Sequence, residues 1–268
     1  MSDILSEMSD TQASPLTKDF KIDLPEDVSF IINTIEKNGH QAYAVGGCVR
    51  DTIMGVTPND WDITTNALPE EVKSYFTKTI DTGIQHGTVT IMLHSTGYEV
   101  TTYRIDGDYL DGRHPSSIEF SDRITDDLCR RDFTINAMAY NERTGLVDEY
   151  GGIDDINNKV IRCVGRPEER FTEDALRMMR AIRFSAQLGF TIEDNTYKAI
   201  EKLSANIQKV SMERVCVELK KTLMSDNPDF CRLYGTTNLF KDILPQLLPH
   251  LGWGQLLQKR HLHQKAPP

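Results

Sequence analysis

Asp60 and Asp62 stand on either side of Trp61 in the stretch "NDWDITT", residues 59–65. On a β-strand alternate side chains share a face, so the two carboxylates project together while the tryptophan points the opposite way. Like charges that close repel, and folding alone does not ask for such a pair. Either the strand edge faces water and the pairing is incidental, or a divalent cation sits between the carboxylates. A second feature, "GGCVRD" (46–51), lies just upstream, between the expected strand "QAYAVGG" and a short helix. Adjacent glycines, Gly46 and Gly47, let successive backbone N–H groups converge on an anion, and a helix N-terminus adds a favourable dipole. Arg50 brings a guanidinium suited to a two-pronged phosphate contact. Gly-Gly alone is also an ordinary tight turn. Followed by D-x-D on the next strand, it reads as a phosphate cradle beside a metal site.

A third pattern is "EDALRMMRAIRF" (173–184), expected to open a helix with Thr172 as its cap. Asp174, Arg177 and Arg180 recur every three residues and so share one face. On an arbitrary helix such a row is a solvated salt-bridge stripe. Glu99 of "YEVTTYR" is a third carboxylate that a neighbouring strand can bring to the aspartate pair, or a plain solvent-facing residue. The seven histidines show no ligand spacing and read as structural.

The elements that must position these residues follow from periodicity. Residues 25–38 carry apolar side chains at helical spacing and stop at Asn38-Gly39. "VRDTIMG" reads as a short helix closed by Gly55, "DWDIT" as a strand, and "PEEVKSYF" as a helix with Pro69 at its start. "GTVTIMLHSTGYEVTTYR" reads as a hairpin turning at "STG". From about residue 168 the pattern turns wholly helical. Mixed α/β followed by a run of helices predicts an α+β fold. The expected divisions are a leader at 1–22, a head domain at 23–160, a helical part at 161–250, and a basic irregular tail at 251–268.

Bulk properties narrow the class. The 268 residues carry a net charge of −10, unevenly spread. Residues 1–160 hold 13 Lys/Arg against 28 Asp/Glu, whereas residues 161–268 hold 17 against 12. An acidic front half is a poor nucleic-acid binder and the back half a better one. Five dispersed cysteines without a C-x-x-C pair argue against a zinc site or a disulfide framework and for a reduced, cytoplasmic setting. No apolar run reaches the roughly 18–20 residues needed to span a bilayer, so no membrane partner is expected. The acidic, Ser/Thr-rich start is unlike a secretory signal or transit peptide. No feature of the sequence specifies an oligomeric state.

Six segments follow one another in a telling order: "GGCVRDTIMGVTPNDWDITTNA", "HGTVTIML", "YEVTTYRIDGDYLDGRHP", "RRDFTINAMAY", "VDEYGGIDD" and "EDALRMMRAIRFSAQLGF". In that order they resemble the class II tRNA nucleotidyltransferases, the CCA-adding enzymes, whose superfamily includes bacterial poly(A) polymerases. The resemblance covers roughly residues 25–248. It implies a polymerase-β-like nucleotidyltransferase head with a mixed sheet, then an all-helical neck and body, with the chain expected to stop soon after the neck.

The resemblance implies template-independent addition of C and A to the 3′ end of tRNA from CTP and ATP, with Mg²⁺ as cofactor and pyrophosphate released. Asp60 and Asp62 are then the catalytic metal ligands, with Glu99 as a third. Gly46, Gly47 and Arg50, with Arg131, Asp132 and Asn136 of "RRDFTINAMA", fall to nucleotide binding, Asp132 or Asn136 near the ribose 2′-OH. Asp174 with Arg177, and Arg180 on the same helix, becomes a protein template for cytosine and adenine. Both bases offer an amino donor beside a ring-nitrogen acceptor, which a carboxylate and a guanidinium complement. Guanine and uracil present the opposite order and leave buried polar groups unpaired. Asp106, Asp111 and Arg113 lie in a stretch resembling the family's flexible loop, and Glu213, Arg214 and Glu218 are expected to brace the template helix. Competing readings are an A-adding enzyme, a poly(A) polymerase, a nucleotide-binding fragment that grips tRNA poorly and, last, a metal-dependent nuclease.

Overall fold

The computed structural model describes residues 21–107 and 116–245. Val28, Ile31, Ile32 and Ile35 bury one face of α1 (Glu26–Lys37), which ends at Asn38 and at Gly39 with φ +92°. β1 (Ala42–Val45) and α2 (Gly47–Ile53) follow, then β2 (Ile63–Thr65), α3 (Pro69–Tyr75), β3 (Thr79–Gly83), β4 (Thr88–Leu93) and β5 (Thr96–Thr102). A small ribbon of β6 (Arg104–Asp106) and β7 (Ile118–Phe120) leads through α4 (Ile124–Cys129) and a 3₁₀ turn (Thr134–Asn136) to β8 (Ala139–Asn141) and β9 (Gly145–Val147). After α5 (Gly152–Asn157) and β10 (Val160–Ile161) come α6 (Pro167–Glu173), α7 (Leu176–Leu188), β11 (Thr191–Ile192), α8 (Asp194–Leu203), α9 (Met212–Leu223), α10 (Arg232–Thr236) and α11 (Leu239–Ile243).

The fold is α+β. Seven strands form one mixed sheet in the order β3-β4-β5-β2-β1-β8-β9, with β2 and β5 parallel and the other pairs antiparallel. The central strands are buried on both faces, as their alternation shows. Ala42 and Ala44 of β1 join a large core with α1 and the helices, while Tyr43 and Val45 enter a smaller core with Tyr103, Leu128 and Ala139. The large core runs without a break from Ile22 to Ile243, so sheet and helices share one interior.

Four expectations change. The hairpin turns at His94-Ser95, both with positive φ (46° and 67°), rather than at "STG"; two such residues give the strand-compatible primed turn. The C-terminal part is not wholly helical, because β11 pairs in parallel with β10 and stitches the helices to the end of the head. Thr172 does not cap a helix: its hydroxyl donates to the Glu168 carbonyl inside α6. Ile22, assigned to the leader, is fully buried in the core. The expected tail at 251–268 and the rest of the leader lie outside the described residues.

Candidate active site

Asp60 and Asp62 precede β2 rather than belong to it, yet the extended path holds. The Val45 N–H donates to the Asp62 carbonyl at 2.9 Å, continuing the pairing of β1 past the end of β2. Alternation follows: both aspartates are exposed, while Trp61 packs against the core. Ile63 lies opposite Val100 in the parallel pair, which brings Glu99, also exposed, alongside Asp62. Asp62 keeps an open outer edge but is walled by protein on its other sides. That burial, with the charges of Asp60 and Glu99 adding and Arg131 opposing, pushes its carboxyl up to about 6. A carboxylate raised in this way is short of positive charge, and hard oxygen donors suit a hard divalent cation. Among the described residues no three His, Cys, Asp or Glu side chains are gathered to hold a metal ion. The residues fit a cation held by Asp60 and Asp62 and completed by substrate oxygens, with Glu99 contributing charge.

The glycine turn has the expected shape. Gly46 adopts φ +83°, and a Cβ there would stand 2.9 Å from Nη1 of Arg131. Only glycine lets that guanidinium approach the backbone so closely. Arg50, expected to fork toward phosphate, is instead 8% exposed and engaged within the protein. Nε and Nη2 donate to Asp51 at 2.9 and 2.7 Å, and Nη1 donates to Asn136 Oδ1 at 2.6 Å. Asn136 passes the contact on, its Nδ2 donating to Asp132 Oδ1 at 3.2 Å. Asp132 also accepts from the Phe133 N–H at 2.9 Å and from Arg180 Nε at 2.7 Å. The polar atoms expected near a ribose hydroxyl are thus spent on one another, in a buried chain from α2 to α7. Phe184 lies beneath it, with the guanidinium carbons of Arg50, Arg180 and Arg183 at 5.2, 5.3 and 3.9 Å from its ring centre.

Asp174, Arg177 and Arg180 do not share one helix face. Asp174 has extended backbone (φ −138°, ψ 106°) between α6 and α7, and its Oδ1 accepts the Leu176 N–H at 3.0 Å. Asp's readiness to bond nearby backbone favours such a break. Arg177 Nη1 donates to Glu173 and to the Arg170 carbonyl, and Nη2 donates to the Arg130 carbonyl at 3.0 Å. Of its five N–H donors, Nε and one hydrogen on Nη2 have no acceptor among the described residues. Arg214 of α9 donates to Asp174 at 2.8 Å, and Arg183 Nε donates to Glu218 at 2.6 Å, so α9 braces α7 as expected of Arg214 and Glu218. Glu213 has no such contact with α7 among the described residues.

Sequence reasoning missed Asp127, the fully buried carboxylate of α4 that accepts from both Arg130 and Arg131. Its signal was available: an acid three and four residues before two arginines on a helix end. It missed Glu173 likewise, which bridges Arg170 and Arg177. Asp106 sits at the base of the expected loop, 3.9 Å from Arg130 and paired with Arg104. Asp111 and Arg113 lie outside the described residues. A cavity of about 710 Å³ opens between this base, α4 and α6, lined by Asp106, Arg130, Arg170 and Glu173 among others. It adjoins the Arg177 partners rather than the acid pair, since neither Asp60 nor Asp62 lines it.

The family described as "Poly A polymerase head domain" matches residues 42–162, and "Probable RNA and SrmB- binding site of polymerase A" matches residues 189–251. The chain belongs to the tRNA nucleotidyltransferase and poly(A) polymerase family. A CCA-adding enzyme of Leuconostoc mesenteroides is 52% identical over 198 residues, which is 74% of this chain and 49% of that protein. The CCA-adding enzyme of Bacillus stearothermophilus in complex with CTP is 41% identical, with a TM-score of 0.73, over 79% of this chain and 51% of that one. The Thermotoga maritima CCA-adding enzyme complexed with tRNA is 27% identical, with a TM-score of 0.67, over 82% and 52%. The chain therefore spans about half the length of the relatives it matches. Membership of this nucleotidyltransferase family carries a dependence on divalent metal ions in general. Among the described residues no helix is long and apolar enough to cross a membrane.

Proposed function

We propose that this chain carries the catalytic part of a cytoplasmic enzyme that adds C and A to the 3′ end of tRNA, from CTP and ATP, without a nucleic-acid template. The reaction is in-line attack of the RNA 3′ hydroxyl on the α-phosphate, with pyrophosphate leaving. Asp60 and Asp62, with triphosphate oxygens, would hold Mg²⁺, which would supply positive charge to lower the pKa of the attacking hydroxyl and offset charge on the leaving group. Glu99 deepens the negative field at that point. Gly46 and Gly47 keep side chains out of the way of the phosphates, and Arg131 offers them the nitrogens left without an acceptor among the described residues. Asp174 accepts from the amino group of cytosine or adenine while a free N–H of Arg177 donates to the neighbouring ring nitrogen. Asp132, Asn136 and Arg50 hold these parts in register.

The observation that carries this reading is the segment 130–132, which touches both halves of the site. Arg131 acts on the charge of Asp62, while the Arg130 carbonyl holds Arg177 and Asp132 holds Arg180. In this reading the chemistry of phosphates and the choice of base would meet on three consecutive residues.

The test is the product ladder from tRNA lacking its three terminal nucleotides, incubated with CTP alone, ATP alone, and both. The proposal expects two added residues with CTP alone and a third only when ATP is present. Growth by A alone, one residue or many, assigns the A-adding or the poly(A) reaction instead.

A further inference from the structure

Asp127 is 0% exposed and carries a negative charge into the interior. Both of its oxygens are engaged. Oδ1 takes Arg130 Nε at 2.9 Å and Nη2 at 2.5 Å; Oδ2 takes Arg131 Nη2 at 3.0 Å and lies 3.4 Å from the Thr64 hydroxyl, whose one proton it shares with the Thr101 carbonyl at 3.1 Å. These partners belong to different parts of the site. Thr64 is two residues beyond Asp62, on the same face of the β2 path. Arg131 stands against Gly46, and Arg130 supplies the carbonyl that holds Arg177.

The bond from Asp127 also decides what the rest of Arg131 can do. With Nη2 tied back, Nη1 lies in the space that a side chain at position 46 would fill, and Nε is buried with no hydrogen-bond partner among the described residues. A buried unpaired donor is costly, and such a group marks a place where a ligand or water completes the bonding. Stability is a poor reason for the arrangement, because buried ion pairs roughly break even against apolar replacements.

We propose that Asp127 is a positioning residue for the nucleotide triphosphate: it aims Arg131 between the glycine turn and the acid pair. The inference rests on the nucleotidyl-transfer reading above. Arg131 presents unspent donors to the phosphates because Asp127 holds its Nη2 edge back. Without that anchor the guanidinium is free to swing toward the exposed carboxylates of Asp60 and Asp62.

The test is calorimetric binding of CTP, and of inorganic tripolyphosphate, to the full 268-residue chain and its variants, with melting curves alongside. Asp127→Asn keeps the shape and removes the charge; both affinities are expected to fall about tenfold, the scale on which outer-shell partners act. In an Arg131→Ala background the same change is expected to cost less than twofold, because the group it acts through is gone. A merely structural role lowers the folded fraction and leaves the affinity of the folded molecules unchanged, in both backgrounds. Affinity within twofold of wild type in Asp127→Asn, or equal losses with and without Arg131, overturns the proposal. Should Asp127→Asn fail to fold, Asp127→Glu keeps both ion pairs and pushes Arg131 outward by about one bond length. A tenfold loss there supports the proposal, and an unchanged affinity overturns it. If the wild-type chain binds neither CTP nor tripolyphosphate, the nucleotidyl-transfer reading falls first and this one with it.

Discussion

Arg180 of α7 donates through Nε to one oxygen of Asp132 at 2.7 Å and holds Nη2 2.5 Å from the same oxygen as an ion pair, and so ties the helix to the segment that follows α4. Burial alone would raise the Asp132 carboxyl; the Arg180 charge and its donated bond, helped by Arg177 and Asn136, outweigh that and bring it down to about 2. Arg180→Met leaves the buried carboxylate without its cation, at an expected cost of about 3–5 kcal/mol in urea unfolding. Because the folded carboxyl titrates below its unfolded value, this stability is full above pH ~4 and is lost as pH falls toward 2. The gap between wild type and Arg180→Met should therefore narrow through that window. A gap that widens with acid contradicts the assignment.

The acid pair makes the opposite demand. Asp62→Asn removes a charge that Asp60 and Glu99 repel, so in the presence of a chelator the variant is expected to melt at or above the wild-type temperature. The same change should abolish nucleotide addition in the ladder assay. A variant that loses stability while keeping addition places the chemistry elsewhere.

Gly46→Ala combines a positive φ with a Cβ that meets Arg131 at 2.9 Å. Backbone strain of this kind costs about 1–3 kcal/mol, readable as a lower unfolding midpoint. Arg131 can give way because the clash is with the end of its side chain, and the KM for CTP should then rise. An Ala variant with wild-type stability and KM refutes the close approach.

Much of this was legible in the sequence, for identifiable reasons. Alternation around Trp61 placed Asp60 and Asp62 on the open side, and the Gly46-Gly47 turn followed from the strand before it and the helix after it. The partners of Arg50 were not legible, because spacing shows which groups stand beside a glycine turn but not which neighbours bond them; Asp51 and Asn136 do. Asp174 was placed inside a helix because three-residue spacing continues across a break. Its Oδ1 accepts the Leu176 N–H, which starts α7 afresh, while its Oδ2 accepts from Arg214 of α9, a partner that local spacing does not reveal. The short strands β10 and β11 carry only two residues each, too few for any period to show.

The chemistry at Asp60 and Asp62 and the choice of base at Asp174 and Arg177 are proposed to act on one nucleotide, and the most direct measurement is a competition among all four NTPs on tRNA lacking its terminal three nucleotides. Wild type should yield only C, C and A in that order. Arg177→Ala should still extend the RNA but admit U and G, with discrimination lower by tenfold or more. Unchanged selectivity in Arg177→Ala, or a wild-type chain that adds all four bases alike, contradicts the account.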